Sequence, residues 1–324
     1  MNFYHEQNIL TISLDKKIDY KFTSLYGKLV NNWTTASYNL IELDFSQTEF
    51  ITLAGAMYLI FPINTIINIK RKKGIYIETG ITGYSKKLFD TLLNFGFISI
   101  LKLYGNLHIN PEIDRLSNLR LNFWDKSLRS LEKPFQSIYW PISTLPPKFM
   151  NNVDLEIHKF YNNFIDCFKA IIYSDLIRNL NYETLDYIEK YFTKSVNEST
   201  KNVWDHSESW GIAAIQSDTN NKTIFCLFDF GIGFINSYIK RKGSYERNVT
   251  ADKEVLTWLF ENNHTSNPES NNGHGLSIIQ KFIDLTEGTL IVNTDRYTIK
   301  YNKIERLKID VKEYYPGTQI MMNF

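Results

Sequence analysis

The chain has 324 residues, 43% hydrophobic and 15% aromatic, with 36 Lys plus Arg against 35 Asp plus Glu. That composition furnishes ordinary buried cores for about two domains and excludes a disordered or low-complexity chain. A formal charge of +1 gives no general electrostatic drive toward nucleic acid or an acidic membrane surface.

The N-terminal residues MNFYHEQNILTISLDKK contain no basic region leading into a long apolar stretch, so no signal peptide is expected. Residues 39–45 read as a short strand. Helical apolar spacing follows over 54–69, then a second strand over 74–80 and an amphipathic helix over 86–95. The apolar window 50–69 is interrupted by Thr52, Pro62, Asn64 and Asn68, which favours a buried helix over a membrane span. Strand, helix, strand, helix argues for a small α/β domain over 1–105.

Five of the eight prolines fall between Pro111 and Pro147, and no glycine occurs between Gly105 and Gly211. Residues 106–150 therefore read as a connector, and 151–324 as a second domain. That domain is expected to open with helices near 154–178 and 183–206. Strands near 209–217 and 223–229 follow, joined by the turn residues Asp218, Thr219, Asn220 and Asn221. A polar stretch over 236–272 holds one helix at 252–261. Another helix begins after Gly275, followed by strands near 289–294, 297–302 and 318–323. Cys167 and Cys226 lie in apolar runs as small core residues, without disulfide or metal spacing.

Three stretches of the second domain carry chemistry. In NESTKNVWDH, Glu198, Asn202 and Asp205 are spaced to share one helix face, while Phe192, Val196 and Val203 form an apolar stripe on another. Taken alone, such a polar face is ordinarily just solvated. In IFCLFDFGIGF an apolar strand ends in Asp229, followed by Gly231 and Gly233. A carboxylate at a buried strand end needs a hydrogen-bond donor, and an exocyclic amine such as that of adenine is suitable. The glycines let the backbone turn sharply beside a planar base. In NNGHGLSIIQKF, Gly273 and Gly275 lead into an amphipathic helix whose first N–H groups can receive phosphate oxygens. It is not a Walker A loop, since no G-K-[ST] follows.

The order of these stretches, closed by Y-P-G-T-Q-I, resembles the GHKL superfamily of gyrase-type ATPases, histidine kinases and anti-sigma-factor kinases over residues 155–324. The resemblance implies a mixed sheet with helices packed on one face, binding ATP or ADP with Mg²⁺. It assigns Asn202 to the Mg²⁺ ion and Glu198 to activation of water or of a hydroxyl nucleophile. Asp205 falls among the nucleotide-binding positions. Asp229 is matched to adenine, with Gly231 and Gly233 completing its box. Gly273, Gly275 and Leu276 stand behind the phosphates, and Gly317 and Thr318 support Asp229; His274, in the middle of that glycine box, could contact phosphate, though an exposed lid histidine with no role is the stronger reading. The stretch 234–272 is the expected lid. It offers no obvious catalytic arginine, although Lys240, Arg241 and Lys242 could supply positive charge.

More weakly, IELDFSQTEFITLAGAMYLI at 41–60 resembles the core strand and first helix of STAS domains. Thr52 then stands nearest the hydroxyl that this family phosphorylates, though a plain helix cap is the stronger reading. The six histidines lack metal-ligand spacing, and His158 lacks the setting of a phosphoacceptor. The expectation is a cytoplasmic ATP-dependent signalling switch, with slow ATPase or Ser/Thr protein-kinase activity. Its partner would be another protein or its own N-terminal domain; a homodimer is compatible, and neither a membrane nor general nucleic-acid binding is expected. A non-catalytic scaffold is the alternative, within a stress-response or antiviral gene module among other settings. An ATP-operated clamp is disfavoured because no transducer domain follows Thr318.

Overall fold

The computed structural model describes residues 2–6, 8–19, 37–104, 107, 138–145, 166, 182–203, 209–217, 222–242, 246–261 and 275–324. The chain divides into two compact units, Met1–Phe135 with Pro141–Ser143 and Gln136–Trp140 with Thr144–Phe324.

The first unit is α/β. Strands β1 (Asn2–Glu6), β2 (Ile9–Ser13), β4 (Leu40–Asp44) and β6 (Glu78–Thr82) form a sheet in the order β1-β2-β4-β6. β1 and β2 are antiparallel, while β2 with β4 and β4 with β6 are parallel. The short β3 (Lys17–Ile18) and β5 (Phe50–Ile51) pair separately, in parallel. Parallel neighbours require a crossover, and helix α1 (Leu53–Lys72) supplies it between β4 and β6. α1 is long and apolar enough to cross a membrane, but 83% of its apolar window is buried inside the structure, so it serves as the core helix. Thr52 caps it by accepting from the Gly55 N–H at 3.0 Å. Helices α2 (Lys86–Asn94) and α3 (Phe97–Tyr104) complete the described part of this unit.

The strand expected over 74–80 begins at Glu78 instead. The apolar residues that suggested it, Ile75 and Tyr76, are 39% and 65% exposed in the turn after α1. Residues 97–104, unassigned in sequence, are helical. The stretch read as a connector contributes β7 (Ile138–Leu145), an edge strand of the second sheet. Pro141 is tolerated within it because an edge strand need not donate on its outer side.

The second unit carries helix α4 (Tyr182–Asn202), β8 (Gly211–Ser217), β9 (Thr223–Asp229), α5 (Gly233–Lys242) and α6 (Val249–Glu261). These are followed by α7 (Gly275–Thr286), β10 (Thr289–Asn302) and β11 (Arg306–Asn323). The sheet order is β10-β11-β9-β8-β7. The pairings β8/β9, β9/β11 and β10/β11 are all antiparallel, which corrects the expected mixed sheet: β8 and β9, and β10 and β11, are consecutive antiparallel strands, and β11 runs back alongside β9. Phe192 of α4 meets Phe225 of β9, Phe282 of α7 and Phe324 at 5.4–5.9 Å between ring centroids. This aromatic cluster fixes α4 and α7 on the face of β9 that also carries Leu227 and Asp229.

Of the stretch 234–272 expected as a lid, the described residues form two helices, α5 and α6, which pack on β10 and β11; the helix expected at 252–261 is the larger part of α6. The expected strands 289–294 and 297–302 are one strand with register shifts on either side of Asp295. The helix expected over 154–178, apart from Asp166, lies outside the described residues, as does the turn 218–221.

Candidate functional site

Helix α4 presents the two expected faces. Phe192, Val196 and Val203 are buried, while Glu198 and Asn202 are half-buried on its last two turns. The apolar stripe is docked on the sheet, which fixes where the polar pair points. Asp205 lies outside the described residues.

Asp229 ends β9, buried to 5% exposure. Alternation along β9 puts it on the same face as Leu227 and Phe225. Its register partners are Thr318 on β11 and Gly211 on β8. Its Oδ1 accepts from the Gly231 N–H at 2.9 Å, and Thr318 donates through both its N–H and its hydroxyl. Burial nevertheless pushes the Asp229 carboxyl up to about 7, and the nearby Asp295 adds to the rise. A carboxyl poised near neutrality in a recess is a hallmark of functional positions.

Gly317 makes this pairing sterically feasible. Its φ is +78°, and a Cβ there would overlap the Asp229 carbonyl oxygen and lie 2.9 Å from Oδ1. Gly233 also has φ +78°, with Asp295 Oδ2 2.8 Å from where a Cβ would stand. The glycine box at the head of α7 meets α4: a Cβ on Gly275 would sit 3.1 Å from Glu198 Oε2 and 3.8 Å from Asn202 Nδ2. Leu276 follows, half-buried, on the first turn of α7. Gly273 and His274 lie outside the described residues.

These elements bound one small cavity. α4 contributes Ser199, Asn202 and Val203, and the sheet contributes Leu227, Asp229, Thr318 and Ile320. The head of α5 closes it with Gly233 and Phe234. Polar groups thus stand on the helix wall and on the sheet wall, with apolar side chains between them.

Sequence reading missed a second cluster that holds the α5 wall. Asp295 is 0% exposed and has φ +53°. Its Oδ2 accepts from the Ile235 N–H at 3.0 Å. Its Oδ1 accepts from Asn236 Nδ2 and from Arg247 Nη2, each at 3.1 Å. Thr294 Oγ1 accepts from the Phe234 N–H at 2.9 Å. Two free N–H groups at the α5 N-terminus are thereby capped by side chains from β10. Arg247 also reaches Asp252 at 3.4 Å, and Tyr297 donates to Asp252 at 2.9 Å. Arg247, an arginine of the stretch expected as a lid, is committed to this network. Lys240, Arg241 and Lys242 end α5. The one sequence signal for the cluster was the charged Asp295 interrupting an apolar strand.

Removing Arg247 would strand the Asp295 carboxylate without its cation. Arg247→Ala is expected to cost about 3 kcal/mol of stability, measured by urea denaturation at pH 7.5. The deficit shrinks toward acid pH, because a stranded Asp295 can be neutralised by a proton. An equal loss at pH 5 and pH 7.5 would discount the ion pair as its origin.

A scan against protein-family models finds none that matches the chain, and a search of curated proteins returns no match.

Proposed function

We propose that the second unit binds Mg-ATP in the manner of the GHKL superfamily, and that the first is a STAS-like module coupled to it as a signalling switch. One observation carries this reading: Asn202, Asp229 and Thr318, drawn from separate stretches of the chain, line a single recess, and Gly275 at the head of α7 stands against Glu198 and Asn202 on α4. The donor set fits the ligand. Asp229 accepts from the adenine amine, with Thr318 and the Gly231 N–H holding the carboxylate in place. The Asn202 amide would hold Mg²⁺, which neutralises phosphate charge. Glu198, beside the head of α7, takes the proton of the attacking water or hydroxyl. Gly275 leaves the phosphate side of α4 uncrowded. ATP-dependent change is then passed to a protein partner or to the first unit.

A second reading, a scaffold that no longer takes nucleotide, is favoured by the size of the recess. The recess has a volume of about 10 Å³, room for a water molecule rather than a base. Under the ATP reading the α5 wall, with Phe234, must give way when the base arrives.

Titrating the full chain with ATP in the presence of Mg²⁺, by calorimetry, separates the two. Saturable 1:1 binding supports the nucleotide reading, and none leaves the scaffold. Glu198→Ala is expected to bind ATP like wild type while any phosphate release falls about 10²–10⁴-fold. Undiminished release would remove Glu198 as the base.

A further inference from the structure

We infer that Ser199 is a direct nucleobase-binding residue, its hydroxyl donating to a ring-nitrogen acceptor of the base whose amine Asp229 accepts. The inference rests on the nucleotide reading and extends it to a residue outside the assigned set. Ser199 is 0% exposed, yet its Oγ has no hydrogen-bond partner among the described residues. A buried hydroxyl left unpaired is costly, and natural proteins keep few of them. Here the orphan, on α4, lines the same recess as Asp229 and Thr318. Next to it stands Asn202, one turn on; beside it stand the apolar Val203, Leu227 and Ile320. The sheet wall already holds the carboxylate that suits an amine. Adenine carries acceptor ring nitrogens on either side of that amine, so a hydroxyl in the same recess has a partner available on the same base.

α4 provides its own comparison. Ser195, one turn earlier, is also 0% exposed with an unpartnered Oγ, but it does not line the recess. If packing alone explained both serines, they should respond alike to substitution. A ligand role sets them apart.

The test compares Ser199→Ala and Ser195→Ala in the full chain, measuring melting temperature without ligand and Mg-ATP affinity by calorimetry. Alanine is the strongest helix former, so both variants are expected to fold. For Ser199→Ala the expected result is an unliganded melting temperature no lower than wild type, with Mg-ATP affinity about tenfold weaker. Ser195→Ala should leave affinity unchanged. The inference is overturned if Ser199→Ala binds within twofold of wild type, or if Ser195→Ala weakens binding equally. A lowered unliganded melting temperature for Ser199→Ala would show that the hydroxyl is already satisfied in the fold, which overturns it too. Failure of wild type to bind ATP would instead defeat the nucleotide reading itself, and this inference with it.

Discussion

Asp229→Asn is expected to abolish Mg-ATP binding while leaving the unliganded protein at least as stable as wild type above pH 7. The two effects have one cause. Asp229 is a buried acid whose carboxyl is pushed up to about 7. Between about pH 4 and pH 7 the unfolded chain ionises this group while the folded chain keeps it protonated. The unfolded state then binds fewer protons, so the group lowers stability as pH rises through that window, with the full penalty present above about 7. Three units correspond to roughly 4 kcal/mol, and asparagine removes that penalty. The variant's advantage in denaturant should therefore grow from pH 4 to pH 7 and then level off. Binding runs the other way. An exocyclic amine donates best to the ionised carboxylate, so wild-type affinity should rise with pH and reach a plateau above about 7. Below the plateau, ATP binding releases a proton, and calorimetric enthalpies at pH 6.5 should differ between buffers of unlike ionisation heat. Asparagine presents its own N–H₂ to the base amine, and about 100-fold of affinity or more is lost. An Asn variant with wild-type affinity would take Asp229 out of the site altogether.

That such a residue could be picked out from sequence reflects how local its signal is. An apolar strand closed by Asp-x-Gly-x-Gly fixes strand end, carboxylate and turn within a few residues. Glu198 and Asn202 were readable for the same reason, because the stripe Phe192, Val196, Val203 orients the helix that carries them. The supporting contacts were not local. Arg247 and Asp295 meet across 48 residues, and nothing in either neighbourhood announces the other. Ser199 was hidden differently: a serine beside Glu198 reads as part of a solvated face, and only its packing reveals a buried, unpartnered hydroxyl. Strands failed where burial and hydrophobicity part company. β11 runs from Arg306, but Lys308, Asp310 and Lys312 lie before the segment that pairs with β9 and are not buried. Their charges disguised a strand that hydrogen-bonds only to β10 there. The small α/β unit was legible in α1 and β4, whereas β1 and β2 passed unnoticed at the N-terminus.

The largest stability effect is expected at Gly317. Any side chain there requires an L-residue at φ +78° and must clear the carbonyl oxygen of Asp229. The oxygen belongs to the backbone of β9, which is paired on both sides, to Thr318 and to Gly211. It cannot retreat without breaking one of those pairings. Gly317→Ala should therefore cost about 4 kcal/mol or more in urea denaturation, at the extreme of single substitutions. Gly80→Ala is the matched comparison, since a Cβ there meets only a Leu40 methyl at 3.8 Å, and its midpoint should hardly move. A Gly317→Ala midpoint near wild type would mean that β11 does not approach Asp229 this closely, and that the Thr318 contacts to its carboxylate are wrong. The glycine preceding Thr318 is in this sense a spacer of zero width. It lets one strand lie close enough over another for a threonine to hold a buried acid. The pair of variants then separates the two jobs done at this point: Asp229→Asn removes the ligand's partner from an intact fold, and Gly317→Ala removes the fold that presents it.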